Sequence, residues 1–365
     1  MKVSVLKENL AKALSITGRA ISTRGSLEIL SNVMLTTEAG RLKVSATNLE
    51  VGINYWIGGK IEEEGAITVP ARLFNEVVNS ISSSKINLEL EELNLHIDSD
   101  KDKLLIKGIS IDEFPLIPRL DKSVLVISSK ILRETLSLIN FAAAQDESRP
   151  VLSGVYLLAE GNKLTFASTD SYRLAEKNIK LPEKVKEKIE VIIPARALIE
   201  LTHVLSDINE DINICINDNQ ILFASNELEF TSRLIEGQFP NYKQIIPETN
   251  ETKAIVNKQE FINIIKIASL FAKESANSIN LNIKSKGRIE VSATSSQIGE
   301  SSSFIEAVVE GKDGNISFNS KYLIDVLNNI KDQKVVFEMG GKLNPGVIRP
   351  DTDKNYTYII MPLRS

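Results

Sequence analysis

Ile67-Thr-Val-Pro-Ala-Arg-Leu-Phe-Asn-Glu-Val-Val-Asn-Ser-Ile81 returns as Val191-Ile-Ile-Pro-Ala-Arg-Ala-Leu-Ile-Glu-Leu-Thr-His-Val-Leu205 and as Ile316-Ser-Phe-Asn-Ser-Lys-Tyr-Leu-Ile-Asp-Val-Leu-Asn-Asn-Ile330. The starts are 124 and 125 residues apart, so one unit is present in three diverged copies. Each copy carries an apolar stripe at i, i+3, i+4 and i+7: Phe74, Val77, Val78, Ile81; Leu198, Leu201, Thr202, Leu205; Leu323, Val326, Leu327, Ile330. That spacing predicts a helix packed on one side only. Pro70 and Pro194 stand just before it, where helices commonly begin.

Three further landmarks keep the same period. Leu42-Lys-Val-Ser-Ala-Thr47, Leu164-Thr-Phe-Ala-Ser-Thr169 and Ile289-Glu-Val-Ser-Ala-Thr294 are alternating strands ending in Thr, 122 and 125 residues apart. A short strand followed by a helix opens each unit, the helices spanning Lys7 to Ile21, Ser129 to Ala144 and Asn257 to Lys273. Phe114-Pro115 and Phe239-Pro240 close the first two units. The strands between are short and punctuated by turns such as Glu38-Ala-Gly-Arg and Lys312-Asp-Gly-Asn. Two helices backed by antiparallel sheet make an α+β domain. The expected domains are residues 1–120, 124–248 and 253–365, joined at Leu120 to Val124 and Glu248 to Lys253.

The 365 residues, 42% hydrophobic and 25% charged, have the composition of a globular protein with real cores. The start, Met1-Lys-Val-Ser-Val-Leu-Lys-Glu, is too charged for a signal peptide. No run approaches the ~18 apolar residues of a membrane span. A cytoplasmic protein is expected. Cys215, the only cysteine, lies in the strand-like run Ile212-Asn-Ile-Cys-Ile and reads as a buried thiol. With only His96 and His203 beside it, the ligand set of a zinc site is missing, and no cofactor is expected. Walker, His-Glu-x-x-His and Gly-x-Ser-x-Gly signatures are absent. Asp98-Ser-Asp-Lys-Asp102 imitates a calcium loop, but Lys103 and Ile109 occupy its glycine and glutamate positions, so it reads as a hairpin tip. Thr169-Asp170 corresponds to Thr294-Ser295 in the third unit and reads as a strand-end turn.

The net charge of −5 argues mildly against a nucleic-acid partner. Its distribution argues the other way. The six predicted helix segments sum to +6 and the remainder to −11. Helices sharing one face would present a weakly basic surface to phosphates, without sequence readout.

The triplication, Thr169-Asp-Ser-Tyr-Arg-Leu-Ala175, Phe239-Pro-Asn-Tyr-Lys-Gln-Ile-Ile-Pro247 and the ending Tyr356-Thr-Tyr-Ile-Ile-Met-Pro-Leu-Arg364 together resemble the bacterial DNA polymerase III beta subunits, the replicative sliding clamps. The resemblance covers the whole chain. It implies a non-catalytic, ring-shaped homodimer of three-domain protomers that encircles duplex DNA and acts as a processivity factor. The implied partners are the DNA polymerase III alpha subunit, a clamp loader, and other polymerases and repair proteins carrying linear peptide motifs. The implied peptide groove comprises Leu152, Thr169, Ser171, Tyr172, Arg173, Leu174, Pro240, Gln244, Ile245, Ile359, Ile360, Met361, Pro362 and Leu363, suited to Leu and Phe anchors.

Tyr172 stands where some members have His, and Gln244 where some have Arg. The implied DNA contacts are Arg24, Gln145, Arg149 and Arg196, with Asn79 or Ser80 and Ala195 replacing residues that are basic in some members. The implied protomer junction pairs Leu270 and Phe271 with an edge strand holding Leu104 and Ile106. The competing reading is a repeat-built peptide-binding scaffold that never touches DNA.

Overall fold

The computed structural model describes residues 1–22, 27–120, 122–146 and 148–363. The first repeat runs β1 (Lys2–Leu6), α1 (Lys7–Thr17), β2 (Asn32–Glu38), β3 (Arg41–Thr47), β4 (Val51–Glu63), β5 (Ala66–Pro70), α2 (Ala71–Ser80), β6 (Lys85–Glu91), β7 (Asn94–Asp98) and β8 (Lys103–Lys107). The second runs β9 (Ser123–Ser128), α3 (Ser129–Ile139), β10 (Gly154–Glu160), β11 (Lys163–Thr169), β12 (Arg173–Lys180), β13 (Ile189–Pro194), α4 (Ala195–Val204), β14 (Asp211–Ile216), β15 (Gln220–Ala224) and β16 (Leu228–Arg233). The third runs β17 (Thr252–Asn257), α5 (Lys258–Phe271), β18 (Ser278–Lys284), β19 (Arg288–Ser295), β20 (Gly299–Gly311), β21 (Gly314–Asn319), α6 (Ser320–Asn329), β22 (Lys334–Met339), β23 (Gly346–Pro350) and β24 (Tyr356–Ile360). Among the described residues, every repeat thus has the same order of eight strands and two α-helices. This is the triplicated α+β domain that the repeats predict.

By contact the chain divides into two compact units, residues 1–132 with 200–234 and residues 133–199 with 235–365. In the first, a sheet runs β8-β7-β6-β1-β4-β16-β15-β14-β9, with β2, β3 and β5 continuing from β4. In the second, the order is β13-β10-β11-β12-β24-β23-β22-β17-β20-β19-β18-β21. Each sheet therefore crosses one repeat boundary, β4 pairing with β16 and β12 with β24, both antiparallel.

The three stripes face inward. Phe74, Val78 and Ile81 are buried, as are Leu198, Leu201 and Leu205, and Leu323, Val326, Leu327 and Ile330. Pro70 and Pro194 directly precede α2 and α4. In the third copy Asn319 replaces proline and caps the helix, its Oδ1 accepting the Lys321 N–H at 2.9 Å. The first helices are shorter than their apolar patterns predict. After Thr17 and Ile139 the chain tightens into 3₁₀ turns, Gly18–Ala20 and Asn140–Ala142, which carry the apolar pattern past the α-helix end. The β2–β3 hairpin turns through Ala39 and Gly40, both at positive φ (50° and 72°), as a two-residue hairpin turn requires. Ser99 N–H donates to the Asp102 carbonyl across the β7–β8 tip, so the calcium-like run is a hairpin end. Cys215 is buried on β14.

One residue fastens the two helices of each repeat together. Lys7 N–H donates to Ser84 O, and its ammonium donates to Asn79 O and Ile81 O at the end of α2. Lys258 repeats this with Gln333 O and, at 2.6 Å, Ile330 O. Ser129 does it without charge, through Glu210 O and Ile208 O. Carbonyls at a helix exit need such donors, and a cation there also suits the helix dipole. Phe74→Ala or Leu323→Ala is expected to destabilise the protein by about 2–5 kcal/mol. Leu73→Ala, at an exposed position of α2, should change stability by less than about 0.5 kcal/mol. Urea unfolding curves of the three variants check this contrast.

Candidate partner-binding groove and DNA-facing residues

All fourteen groove residues lie within the second compact unit. The turn from β11 into β12 sets the groove's edge. The Thr169 hydroxyl donates to the Arg173 carbonyl (2.6 Å) and accepts the Ser171 N–H (3.1 Å). Asp170 Oδ1 accepts the N–H groups of Tyr172 and Arg173, both at 3.0 Å. These bonds hold Ser171 at φ 78°, a conformation that non-glycine residues adopt only when tied down. Beyond the turn, β12 and β24 run in register, Arg173 opposite Ile360 and Leu174 opposite Ile359. Met361 N–H then donates to the Tyr172 carbonyl at 2.8 Å.

Leu174 and Ile359, cross-strand neighbours on one face, are buried in one cluster with Phe239 and Tyr242 and make the candidate floor; Leu152 and Thr169 are buried too, while Ile360, next along β24, is buried on the opposite face, across from Arg173. The wall comes from the segment after β16. Phe239 stacks on Tyr156 with ring centroids 5.0 Å apart, and Tyr242 meets both rings edge-on. The Tyr242 hydroxyl donates to Glu176 Oε2 at 2.6 Å. Burial, and then the Glu176 carboxylate, push the Tyr242 phenol well above its ordinary range, so it stays a donor. With these aromatics fixed, the 3₁₀ turn Tyr242–Ile245 leaves Pro240, Gln244 and Ile245 exposed. Tyr172, 62% exposed, and Met361, 36% exposed, form the opposite rim. Pro362 and Leu363 are half-buried beside it, Leu363 N–H donating to Ser317 O. The accessible apolar surface is that of Tyr172, Pro240, Ile245 and Met361, the kind of surface that apolar side chains of a short peptide can pack on.

Arg173 alternates with Leu174 along β12 and so lies on the other face of the strand. It is buried, with Nε donating to Asp170 Oδ2 (2.9 Å) and Nη1 to Asp325 Oδ2 (2.5 Å). Its guanidinium lies 4.5 Å from the Tyr322 ring centroid and 5.7 Å from that of Phe141. Asp325, Tyr322 and Phe141 were not singled out in the sequence, because their only local signal is membership of an ordinary helix or turn.

Of the expected DNA contacts, Gln145, Arg149 and Arg196 are exposed, Arg196 in the first turn of α4. Arg24 lies outside the described residues. Arg149 Nη1 donates to Ser171 Oγ at 3.4 Å, which places it beside the groove's turn. Ala195 is buried, so its identity answers to packing; Asn79 and Ser80 are exposed at the end of α2. The helix charge is less available than the count suggests. Lys7 and Lys258 are committed to backbone carbonyls, Arg19 pairs with Glu200 (3.0 Å), Arg72 with Glu76 (3.0 Å) and Lys331 with Glu134 (2.9 Å). Lys130, Lys266, Lys273 and Lys321 remain exposed.

At the expected protomer junction Leu270 is exposed and Phe271 half-buried at the end of α5. Leu104 is exposed on β8, but Ile106 is buried within its own unit; the second exposed leucine is Leu105. The resemblance implied residues 104 and 106.

Among the described residues, no helix is long and apolar enough to cross a membrane, and no cluster of His, Cys, Asp or Glu could hold a metal. The family description for the DNA polymerase III beta subunit matches in three parts: N-terminal domain over residues 1–118, central domain over 126–241 and C-terminal domain over 243–364. A beta sliding clamp of Staphylococcus epidermidis is 32% identical over 376 residues, covering 100% of both chains. The crystal structure of a DNA polymerase sliding clamp from Bacillus subtilis is 30% identical, with TM-score 0.94 over 100% of this chain and 99% of that one. A Pseudomonas aeruginosa sliding clamp bound to griselimycin is 25% identical, with TM-score 0.94 and 100% coverage of both chains. The chain belongs to the DNA polymerase III beta subunits, the non-catalytic sliding clamps that give replication its processivity.

Proposed function

We propose that two copies of the chain close into a ring around duplex DNA, each contributing three clamp domains, residues 1–120, 124–248 and 253–365. The observation that carries this reading is a joint made twice and left half-made once. In the first joint β16 pairs with β4, Ser232 opposite Val51, and Arg233 N–H donates to Glu50 O. In the second, β24 pairs with β12, Ile360 opposite Arg173, and Met361 N–H donates to Tyr172 O. By the same count β8 and the first half of β20 are the remaining pair.

Burial marks what is missing. Leu104 and Leu105 of β8 are 39% and 50% exposed, while their counterparts Phe230 and Thr231, and Tyr358 and Ile359, are at most 3% exposed. An unpaired edge bearing leucines is a liability unless another chain covers it. β20 of a second copy, with Leu270 and Phe271 at the end of α5, the helix that packs against β20, is the occupant that makes the third joint like the other two. Head-to-tail contacts of this kind close with two protomers into a ring.

On this reading Arg24, Gln145, Arg149 and Arg196 touch DNA phosphates, with Lys130, Lys266, Lys273 and Lys321 adding a weak field. Contacts of that strength carry no sequence information and permit sliding. The groove receives peptides with Leu and Phe anchors from the polymerase alpha subunit, the clamp loader, and other polymerases and repair proteins. The protein works in the cytoplasm, where chromosome replication takes place in bacteria.

The register is testable. Aligning the joints sets Ile106 opposite Gly299 and Leu104 opposite Ser301 of a second copy, the latter a non-hydrogen-bonded pair with Cα atoms about 4.5 Å apart. That is within disulfide range. In a Cys215→Ala background, Leu104→Cys with Ser301→Cys should oxidise to a covalent dimer on a non-reducing gel, while Leu104→Cys with Ser303→Cys should stay monomeric there. Equal cross-linking of both pairs would refute the register. Replacing Leu270 and Phe271 by Ala should give folded monomers in sedimentation; a double variant that stays dimeric would remove these residues from the junction.

A further inference from the structure

The two completed joints share one turn, and comparing them isolates what the second adds. At the first joint the Thr47 hydroxyl donates to Val51 O (2.9 Å) and accepts the Leu49 N–H (3.1 Å). Asn48 Oδ1 accepts the N–H groups of Glu50 and Val51. Leu49 sits at φ 76°, as Ser171 sits at 78°. Each bond has its counterpart around Thr169 and Asp170. The difference is charge: Asn48 and Val51 stand where the second joint has Asp170 and Arg173.

The turn and the strand pairing therefore form without an ion pair. Burying the Arg173 guanidinium between two carboxylates is costly in desolvation, and an apolar pair would often serve stability as well. Burial opposes the Arg173 charge, and the Asp325 and Asp170 carboxylates offset it, so the guanidinium stays charged. The charged arrangement occurs at the joint that carries the groove. It links Asp325 on α6 to Arg173, Arg173 to Asp170, Asp170 to the Tyr172 backbone, and the Tyr172 carbonyl to Met361 N–H. Tyr172 and Met361 are the exposed rim.

We propose that Asp170 and Asp325, acting through Arg173, are positioning residues that fix the groove's rim and so set its affinity for peptides. The proposal rests on the groove reading above. Asp325 is a positioning residue on a helix outside the fourteen groove residues, and it acts only through the guanidinium it holds.

The test is binding of a fluorescein-labelled peptide with Leu and Phe anchors to the full-length dimer, read by fluorescence anisotropy. Two variants alter the network without touching the floor: Asp325→Asn, and the first joint's solution grafted in as Asp170→Asn with Arg173→Val. Both should remain dimeric by sedimentation and bind the peptide about tenfold more weakly. In a Tyr172→Ala background the Asp325→Asn loss should largely vanish, because its effect passes through the rim. A general structural defect would instead add to the Tyr172→Ala loss.

Wild-type affinity in the graft, or additive losses with Tyr172→Ala, would overturn the positioning role while leaving the groove intact. Failure of the wild-type dimer to bind the peptide, or indifference of binding to Tyr172→Ala and Met361→Ala, would overturn the groove reading and this inference with it.

Discussion

A sheet edge that is not paired must be covered, and this constraint organises the chain. Each repeat offers two such edges, its last strand and the first half of its long fourth strand. Twice the chain satisfies them internally, β16 on β4 and β24 on β12. The third pair, β8 and β20, belongs to different ends of the sequence, and its exposed leucines show what a partner strand would cover. A protein assembled from one repeated joint needs no second kind of interface to make a ring.

The joints are alike in hydrogen bonding and unlike in use, because the segments that follow Phe-Pro diverge. After Phe239-Pro240 the chain turns tightly, Tyr242 is buried against Tyr156, and Pro240, Gln244 and Ile245 stand up as a wall. After Phe114-Pro115, Leu116 is left almost fully exposed. Arg119 there reaches Glu38 and lies over the Trp56 ring. The common turn around Thr47 and Thr169 is thus scaffold, and the proposed groove is what the second closing segment and the Arg173 network would build upon it.

Local periodicity made most of this fold legible in the sequence. The stripes through Phe74, Leu198 and Leu323, the prolines before α2 and α4, and the hairpin tips are short-range features, and they sit where their patterns put them. The ends of α1 and α3 were not legible, since a 3₁₀ turn continues the apolar pattern of an α-helix. Charge counting had a different blind spot: it could not show that Lys7 and Lys258 are committed to helix carbonyls. The candidate groove residues came from the resemblance and not from local pattern; among them Arg173 is buried, and Asp325, some 150 residues away in sequence, carried no local mark. Leu105 was missed because a strand at an edge exposes residues on both faces.

Topological linkage is the central claim, and it separates a ring from a protein held on DNA by contacts alone. The protein should be loaded on nicked circular DNA by a clamp loader with ATP, and its retention followed by gel filtration before and after the circle is cut by a restriction enzyme. The account predicts that it stays on the circle and is lost from the cut molecule. Equal retention on both forms would contradict it.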